Sequence, residues 1–250
     1  MLMAILRIIP NLVTGANLFL GCVAIIQLLQ FHFEAAMLCF LLALLADVLD
    51  GFLARLFRVS SSLGAQLDSL ADAVTSGVLP GLMAYQLLVR YGVKSISWSF
   101  SIGSTPISIH WAPLGLLGLV VALAAAYRLA KFNLDEDQKY DFKGLPAPAN
   151  ALFFMGYPFL VSHPQFHAAT NLLTEPQFIV GLVAVGSLLM NAPLRMFSFK
   201  MQSNTLDSIL YPLLLVICFI VLYIFFQWAA FTLAVVLYIL LSIIKKVLAT

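Results

Sequence analysis

The stretch Asp47-Val48-Leu49-Asp50-Gly51-Phe52-Leu53-Ala54-Arg55 is followed, after eight residues, by Gly64-Ala65-Gln66-Leu67-Asp68-Ser69-Leu70-Ala71-Asp72. It sets four carboxylates and an arginine inside two otherwise apolar segments. Ionisable side chains in such segments cost free energy and mark function. On a helix, Asp47, Asp50, Gly51, Ala54, Arg55 and Arg58 fall within about 140° of one another. Val48, Leu49, Phe52, Leu53, Leu56 and Phe57 form the other face. One face is polar or small; the other suits lipid or packing. Asp68 and Asp72 stand one turn apart on the next helix, so a hairpin of the two helices brings the four carboxylates together.

Clustered carboxylates without a neighbouring His or Cys favour hard divalent cations, Mg²⁺ or Mn²⁺. Four of them can hold two such ions, an arrangement suited to displacement at phosphorus. Gly51 and Ala54 leave room for a bulky ligand against the backbone, and Arg55 offers a fork to a phosphate. The plain structural alternative is two membrane helices whose charges pair for packing.

The stretch resembles the signature of the CDP-alcohol phosphotransferase family: D, two residues, D-G, two residues, A-R, eight residues, G, three residues, D, three residues, D. Asp47, Asp50, Gly51, Ala54, Arg55, Gly64, Asp68 and Asp72 occupy every fixed position. The resemblance implies an enzyme that moves a phospho-alcohol group from a CDP-linked donor to an acceptor hydroxyl and releases CMP. It implies that Asp47, Asp50, Asp68 and Asp72 hold the metals and that Asp72 is also the general base. It places the CDP-linked donor against Asp47, Gly51, Ala54, Arg55 and Gly64. Pro10-Asn11-Leu12-Val13-Thr14 is similar to a common opening of the family and adds Asn11 and Thr14 to the donor side.

Two further blocks concern the acceptor. Asp68-Ser-Leu-Ala-Asp72-Ala-Val-Thr75-Ser76-Gly77-Val-Leu-Pro80 resembles the version found in the branch that makes phosphatidylserine, with Thr75 and Ser76 in place of the usual Ser and Phe. Arg128-Leu-Ala-Lys131-Phe-Asn133 and Phe142-Lys143-Gly144-Leu-Pro146-Ala-Pro148-Ala are similar to blocks of that same branch, with Lys131 replacing an Arg. The implied substrates are CDP-diacylglycerol and L-serine, and a homodimer is implied as well. An amino-acid acceptor needs a cation for its carboxylate, and Arg128, Lys131, Asn133 and Lys143 are the candidate serine-binding residues. Their structural alternative is anchoring and headgroup contact. The rival acceptors are glycerol 3-phosphate or an inositol compound, and a rival from another class is an ion-coupled transporter. Transporters often carry two repeated halves, and the signature occurs once.

Composition sets the class. The chain has 250 residues, 62% hydrophobic and 10% charged, where a soluble domain carries about 25% charged residues. An all-α polytopic membrane protein follows, and no nucleic-acid partner is expected. The three cysteines form neither a disulfide framework nor a metal motif. Eight spans are expected near residues 12–30, 34–57, 65–89, 112–130, 148–162, 177–192, 207–226 and 228–247. The first six belong to a catalytic membrane domain over residues 1–200, and the last two are additional helices within 201–250. Residues 1–10 are expected along the interface, and 91–110 as a polar connection. The Asn11, Thr14, Asn17 and Gly21 face of the first span is expected to line the active-site cavity.

With eight spans, eleven Lys and Arg fall on one side and only Arg90 and Lys94 on the other. This excess places the signature and both termini in the cytoplasm of a cell-membrane protein. His32, His110, His163 and His167 all fall in the opposite loops, away from the carboxylates.

Overall fold

Two long apolar helices, α1 (Leu2–Leu29) and α2 (Phe33–Leu56), pack antiparallel along their length. The computed structural model describes residues 2–59, 61–134, 144–194, 196 and 206–248, the side chains of 2–7, 206–209, 246 and 248 excepted. Both helices end in the same way. His32 N donates to Gln27 O at 2.9 Å and Val59 N to Ala54 O at 3.0 Å. Phe31 and Arg58 take the left-handed conformation between them, at φ 62° and 53°. This cap usually employs glycine, and a larger residue there costs about 1–2 kcal/mol. Residues 2–10, expected along the interface, are helical: α1 begins at Leu2 and runs through Pro10. The apolar run on either side sustains the helix, and the ring costs it one backbone bond.

After the turn at Arg58, Ser61 caps α3 (Ser62–Asp72), its hydroxyl accepting from Gly64 N at 3.0 Å. α3 continues through a wide π turn, Ala73–Val78, into α4 (Leu79–Arg90). Pro80 explains the widening: it has no amide to donate, and its ring would press on the Ser76 carbonyl in a regular turn. Leu79 N instead reaches back five residues to Val74 O.

Residues 91–110, expected as a polar connection, have regular structure. They hold most of an antiparallel hairpin, β1 (Ile96–Ile102) and β2 (Thr105–Trp111), turned at Gly103 with φ 63°. The pattern Ile-Ser-Trp-Ser-Phe-Ser-Ile alternates with a period of two, which favours a strand.

A 3₁₀ turn (Gly115–Leu119) opens α5 (Val120–Leu134). α6 (Ala147–Ser162) is largely buried, packed against α2, α4, α8, α10 and the π turn. A 3₁₀ turn (Pro164–Ala169) and α7 (Thr170–Leu173) meet α8 (Pro176–Asn191) at 90°. α9 (Leu206–Phe226) and α10 (Ala230–Leu248) fold back on each other. Lys245 Nζ lies 5.3 Å from the Tyr211 ring centre, whereas one straight helix would separate them by about 50 Å. α10 docks on α6, where Thr232 Oγ1 donates to Phe153 O at 2.8 Å. A Cβ on Gly156 would lie 2.7 Å from Thr232 Oγ1, so the contact needs glycine.

Among the described residues, four stretches are long and apolar enough to cross a membrane: Ile8–Leu29, Phe33–Leu56, Gly115–Leu134 and Leu210–Lys245. The last contains both arms of the α9–α10 hairpin. The chain is a polytopic helical membrane protein, and its helices fall where the sequence places its spans.

Candidate metal centre and substrate cleft

The end of α2 and the start of α3 converge as the spacing requires. Asp47, Asp50 and Asp68 each offer an oxygen, and these three oxygens lie within 4.8 Å of one another. Asp50 is buried and its Oδ2 accepts from Thr14 Oγ1 at 2.5 Å. Asp68 Oδ1 and Asp72 Oδ1 are buried without a hydrogen-bond partner. Asp72 stands one turn beyond the three-carboxylate group, within electrostatic reach of Asp47 and Asp68 and facing the amide of Asn17. Like charges this close, with orphaned carboxylate oxygens, suit a divalent cation. The residues therefore fit a hard metal ion.

Beside this group lies a cavity of about 200 Å³. Asn11, Thr14, Gly51, Ala54 and Gly64 line it together with Asp50 and Asp68. It brings together five of the residues expected on the donor side. Arg55 folds back along its helix: a Cβ on Gly51 would lie 3.6 Å from a terminal guanidinium nitrogen. Gly64 makes a close approach, since a Cβ there would fall 2.9 Å from Asn11 Oδ1 and 3.1 Å from Ser61 Oγ. Thr14 lines the cavity, and its hydroxyl lies within hydrogen-bond distance of Pro10 O at 3.1 Å and of Asp50 Oδ2.

Of the Asn11, Thr14, Asn17 and Gly21 face, two residues line this cavity. Asn17 is wholly buried, with neither amide atom in a hydrogen bond. Gly21 gives up its side chain to Thr75 of the π turn, which a Cβ would strike.

The acceptor candidates separate. Arg128 is half-buried; its Nε has no hydrogen-bond partner, and it lies within electrostatic range of Asp72 and of Tyr238 on α10. Lys131 is exposed. Asn133 is exposed too, and its Nδ2 donates to Ser69 Oγ at 2.8 Å, stitching α5 to α3. Lys143 lies outside the described residues.

Sequence reasoning missed a set of buried polar groups behind Arg128. Asn191 Nδ2 donates to Ala124 O at 3.1 Å, one helical turn from Arg128 on the same face of α5. Asn191 Oδ1, Ser187 Oγ and Asn150 Nδ2 have no partner. Asn150 Oδ1 presses on Gly186, where a Cβ would lie 2.5 Å away. Ser76 Oγ, on the π turn, is likewise buried and unpartnered. Single Asn and Ser residues in apolar helices carry no spacing signal, and only their orphaned atoms distinguish them.

A sequence profile of the CDP-alcohol phosphatidyltransferase family matches residues 7–190. Over 197 residues the chain is 31% identical to the CDP-diacylglycerol–serine O-phosphatidyltransferase of Helicobacter pylori, an alignment covering 78% of this chain and 74% of that protein. The Bacillus subtilis protein of that name is 31% identical over 142 residues, 56% of this chain and 69% of its own length. The archaetidylserine synthase of Methanothermobacter thermautotrophicus is 29% identical over 146 residues, 58% of this chain and 54% of its own. The profile spans the carboxylates, the cavity and Arg128, and stops short of the α9–α10 hairpin. The chain thus belongs to the CDP-alcohol phosphatidyltransferase family.

Proposed function

We propose that the protein transfers the phosphatidyl group of CDP-diacylglycerol to the hydroxyl of L-serine, giving phosphatidylserine and CMP. The observation that carries this reading is the meeting of Asp47, Asp50 and Asp68, within 4.8 Å of one another, beside a cavity bordered by glycines. The names of the related proteins supply the two substrates.

In this reading Asp47, Asp50, Asp68 and Asp72 hold two Mg²⁺ or Mn²⁺ ions. Bound there, the ions would neutralise the donor's phosphate oxygens and the departing CMP. Gly51 and Gly64 let the cytidine diphosphate approach the backbone, and Arg55 forks onto a phosphate at the cavity rim. Asp72 takes the proton of the serine hydroxyl at its unpartnered oxygen. The serine oxygen forms a bond to the β-phosphorus as the bond from that phosphorus to the CMP oxygen breaks. Arg128 holds the serine carboxylate, with Lys131, Asn133 and Lys143 as the other candidates. The orphaned donors and acceptors of Asn150, Ser187 and Asn191 lie on the same side and suit a small zwitterion.

The same reading places the signature and both termini on the cytoplasmic side of a cell membrane crossed eight times. Residues 1–200 form the catalytic domain, 201–250 carry the added hairpin, and the protein is a homodimer. Release of CMP from CDP-diacylglycerol by purified protein tests the chemistry. It should require both serine and a divalent cation, and Asp68→Asn should abolish it while leaving the detergent melting temperature near that of the parent. Serine-independent release, or near-normal turnover in Asp68→Asn, would sink the reading.

A further inference from the structure

The β1–β2 hairpin carries two unlike faces. The register pairs Ile96 with Trp111, Trp98 with Ile109 and Phe100 with Ile107. Cross-strand partners share a face, so these six side chains, joined by Ile102, make one continuous apolar surface. Ser97, Ser99, Ser101, Ser108 and His110 make the other, where Ser97 Oγ and His110 Nδ1 stand 3.0 Å apart and Ser99 Oγ and Ser108 Oγ 3.2 Å. The apolar face is bare within the chain: Trp98 is 69% exposed and Ile102 65%. A lone two-stranded hairpin is marginal in water, and an apolar face of this extent calls for a cover.

The cover follows from where the hairpin is tied. Its two tethers are residues 91–95, which follow Arg90 at the end of α4, and residues 112–114, which precede Gly115. Tethers of five and three residues reach no further than about 18 and 11 Å, so the base of the hairpin stays at the membrane surface. Arg90 lies about 27 Å beyond Asp72 along the helix, close to the thickness of the hydrocarbon layer. The hairpin is therefore on the face opposite the carboxylates. Exposed apolar surface resumes at Leu114, Leu117 and Val120 at the start of the next span, continuous with the wall that meets acyl chains. Two tryptophans sit on the apolar face, and indole favours the headgroup level. Arg90 and Lys94 stand beside it, and Arg90 packs 5.6 Å above the Phe33 ring, at the depth where lipid phosphates lie.

The geometry points to a membrane-surface anchor: the hairpin lies flat in the lipid interface opposite the carboxylates, with Trp98, Trp111 and their five apolar neighbours turned into the leaflet and the serine face turned to water. The anchor clamps the junction between α4 and the span that holds Arg128. It does not depend on which acceptor the enzyme uses.

Alternating cysteine substitution in the full chain tests it, in a background with Cys22, Cys39 and Cys218 replaced and the protein reconstituted into phosphatidylcholine–phosphatidylglycerol vesicles. Ser97→Cys and Ser99→Cys should react with a membrane-impermeant maleimide, on the side opposite that at which Ser61→Cys reacts. Trp98→Cys and Phe100→Cys should resist it. In a chain whose Trp111 and Trp228 are changed to Phe, Trp98 fluorescence should be quenched by lipids brominated near the headgroup and spared by aqueous acrylamide. Retained turnover confirms folding of each hairpin variant, since none of the hairpin positions touches the carboxylates or the cavity. Equal labelling of all four positions, or quenching of Trp98 by acrylamide alone, would overturn the anchor. Disulfide-linked dimers through Trp98→Cys would overturn it too, in favour of a second copy covering the face.

Discussion

Thr14→Val replaces the hydroxyl that Asp50 accepts at 2.5 Å with a methyl group of similar shape. Thr14 is 3% exposed and Asp50 6%, so water does not readily take the lost place. A hydrogen bond to a charged group contributes about 1.5–3 kcal/mol. Here it holds the Asp50 carboxylate in place beside Asp47 and Asp68. Loss of a group that orients a metal ligand weakens metal affinity by about 10–100-fold, the range that about 1.5–3 kcal/mol spans. Turnover measured against Mn²⁺ concentration should show the half-saturating concentration raised by that factor. The maximal rate should return towards the parent's at saturating metal, and the KM for CDP-diacylglycerol should hardly change. Thr14→Ser, which keeps the hydroxyl, should recover most of the loss. An unaltered metal requirement with a raised KM for CDP-diacylglycerol would refute the reasoning and make Thr14 a donor contact.

Gly64→Ala should raise the KM for CDP-diacylglycerol, because the new methyl group lands 2.9 Å from Asn11 Oδ1 and such overpacking costs about 1–3 kcal/mol; an unchanged KM would remove Gly64 from the cleft. Arg128→Gln should raise the KM for serine by about 10–100-fold, the value of a charge-assisted bond, and spare the donor, whereas Arg55→Gln should do the reverse. Steady-state kinetics with each substrate varied in turn would expose a swap. Asn133→Ala should lower the melting temperature by no more than loss of one neutral hydrogen bond, about 0.5–1.5 kcal/mol, because its amide is donated to Ser69 at 2.8 Å. Ser69→Ala should match it, and a serine KM that rises only in Asn133→Ala would place Asn133 on the acceptor.

The carboxylate site was legible in the sequence because charged residues in apolar helices stand out, and helical spacing alone puts Asp47, Asp50 and Asp68 on facing surfaces. The cavity beside it was legible for a related reason: Gly51, Ala54 and Gly64 are small where lipid-facing positions are large. Roles that depend on tertiary contact were not. Thr14 lines the cavity, but its hydrogen bond to Asp50, a partner 36 residues away, could not be read from spacing. Asp72 shares its spacing with Asp68 but stands apart from the tight group, because it lies one turn further along α3. The hairpin at 96–111 was missed because its serines lowered the hydropathy of the stretch, while the alternation of those serines with Ile, Trp and Phe was the stronger signal. Asn150, Ser187 and Asn191 become visible only when α5, α6 and α8 are packed and their polar atoms are found without partners.

The proposed reaction joins the phosphatidyl group of CDP-diacylglycerol to serine at this carboxylate site. Purified protein supplied with CDP-diacylglycerol, Mn²⁺ and one radiolabelled acceptor at a time (serine, glycerol 3-phosphate or inositol) tests it most directly. Label should enter lipid from serine alone, with one CMP released for each labelled lipid and no product after chelation of the metal. Label entering lipid from glycerol 3-phosphate or inositol in place of serine, or serine incorporation that survives chelation, would contradict it.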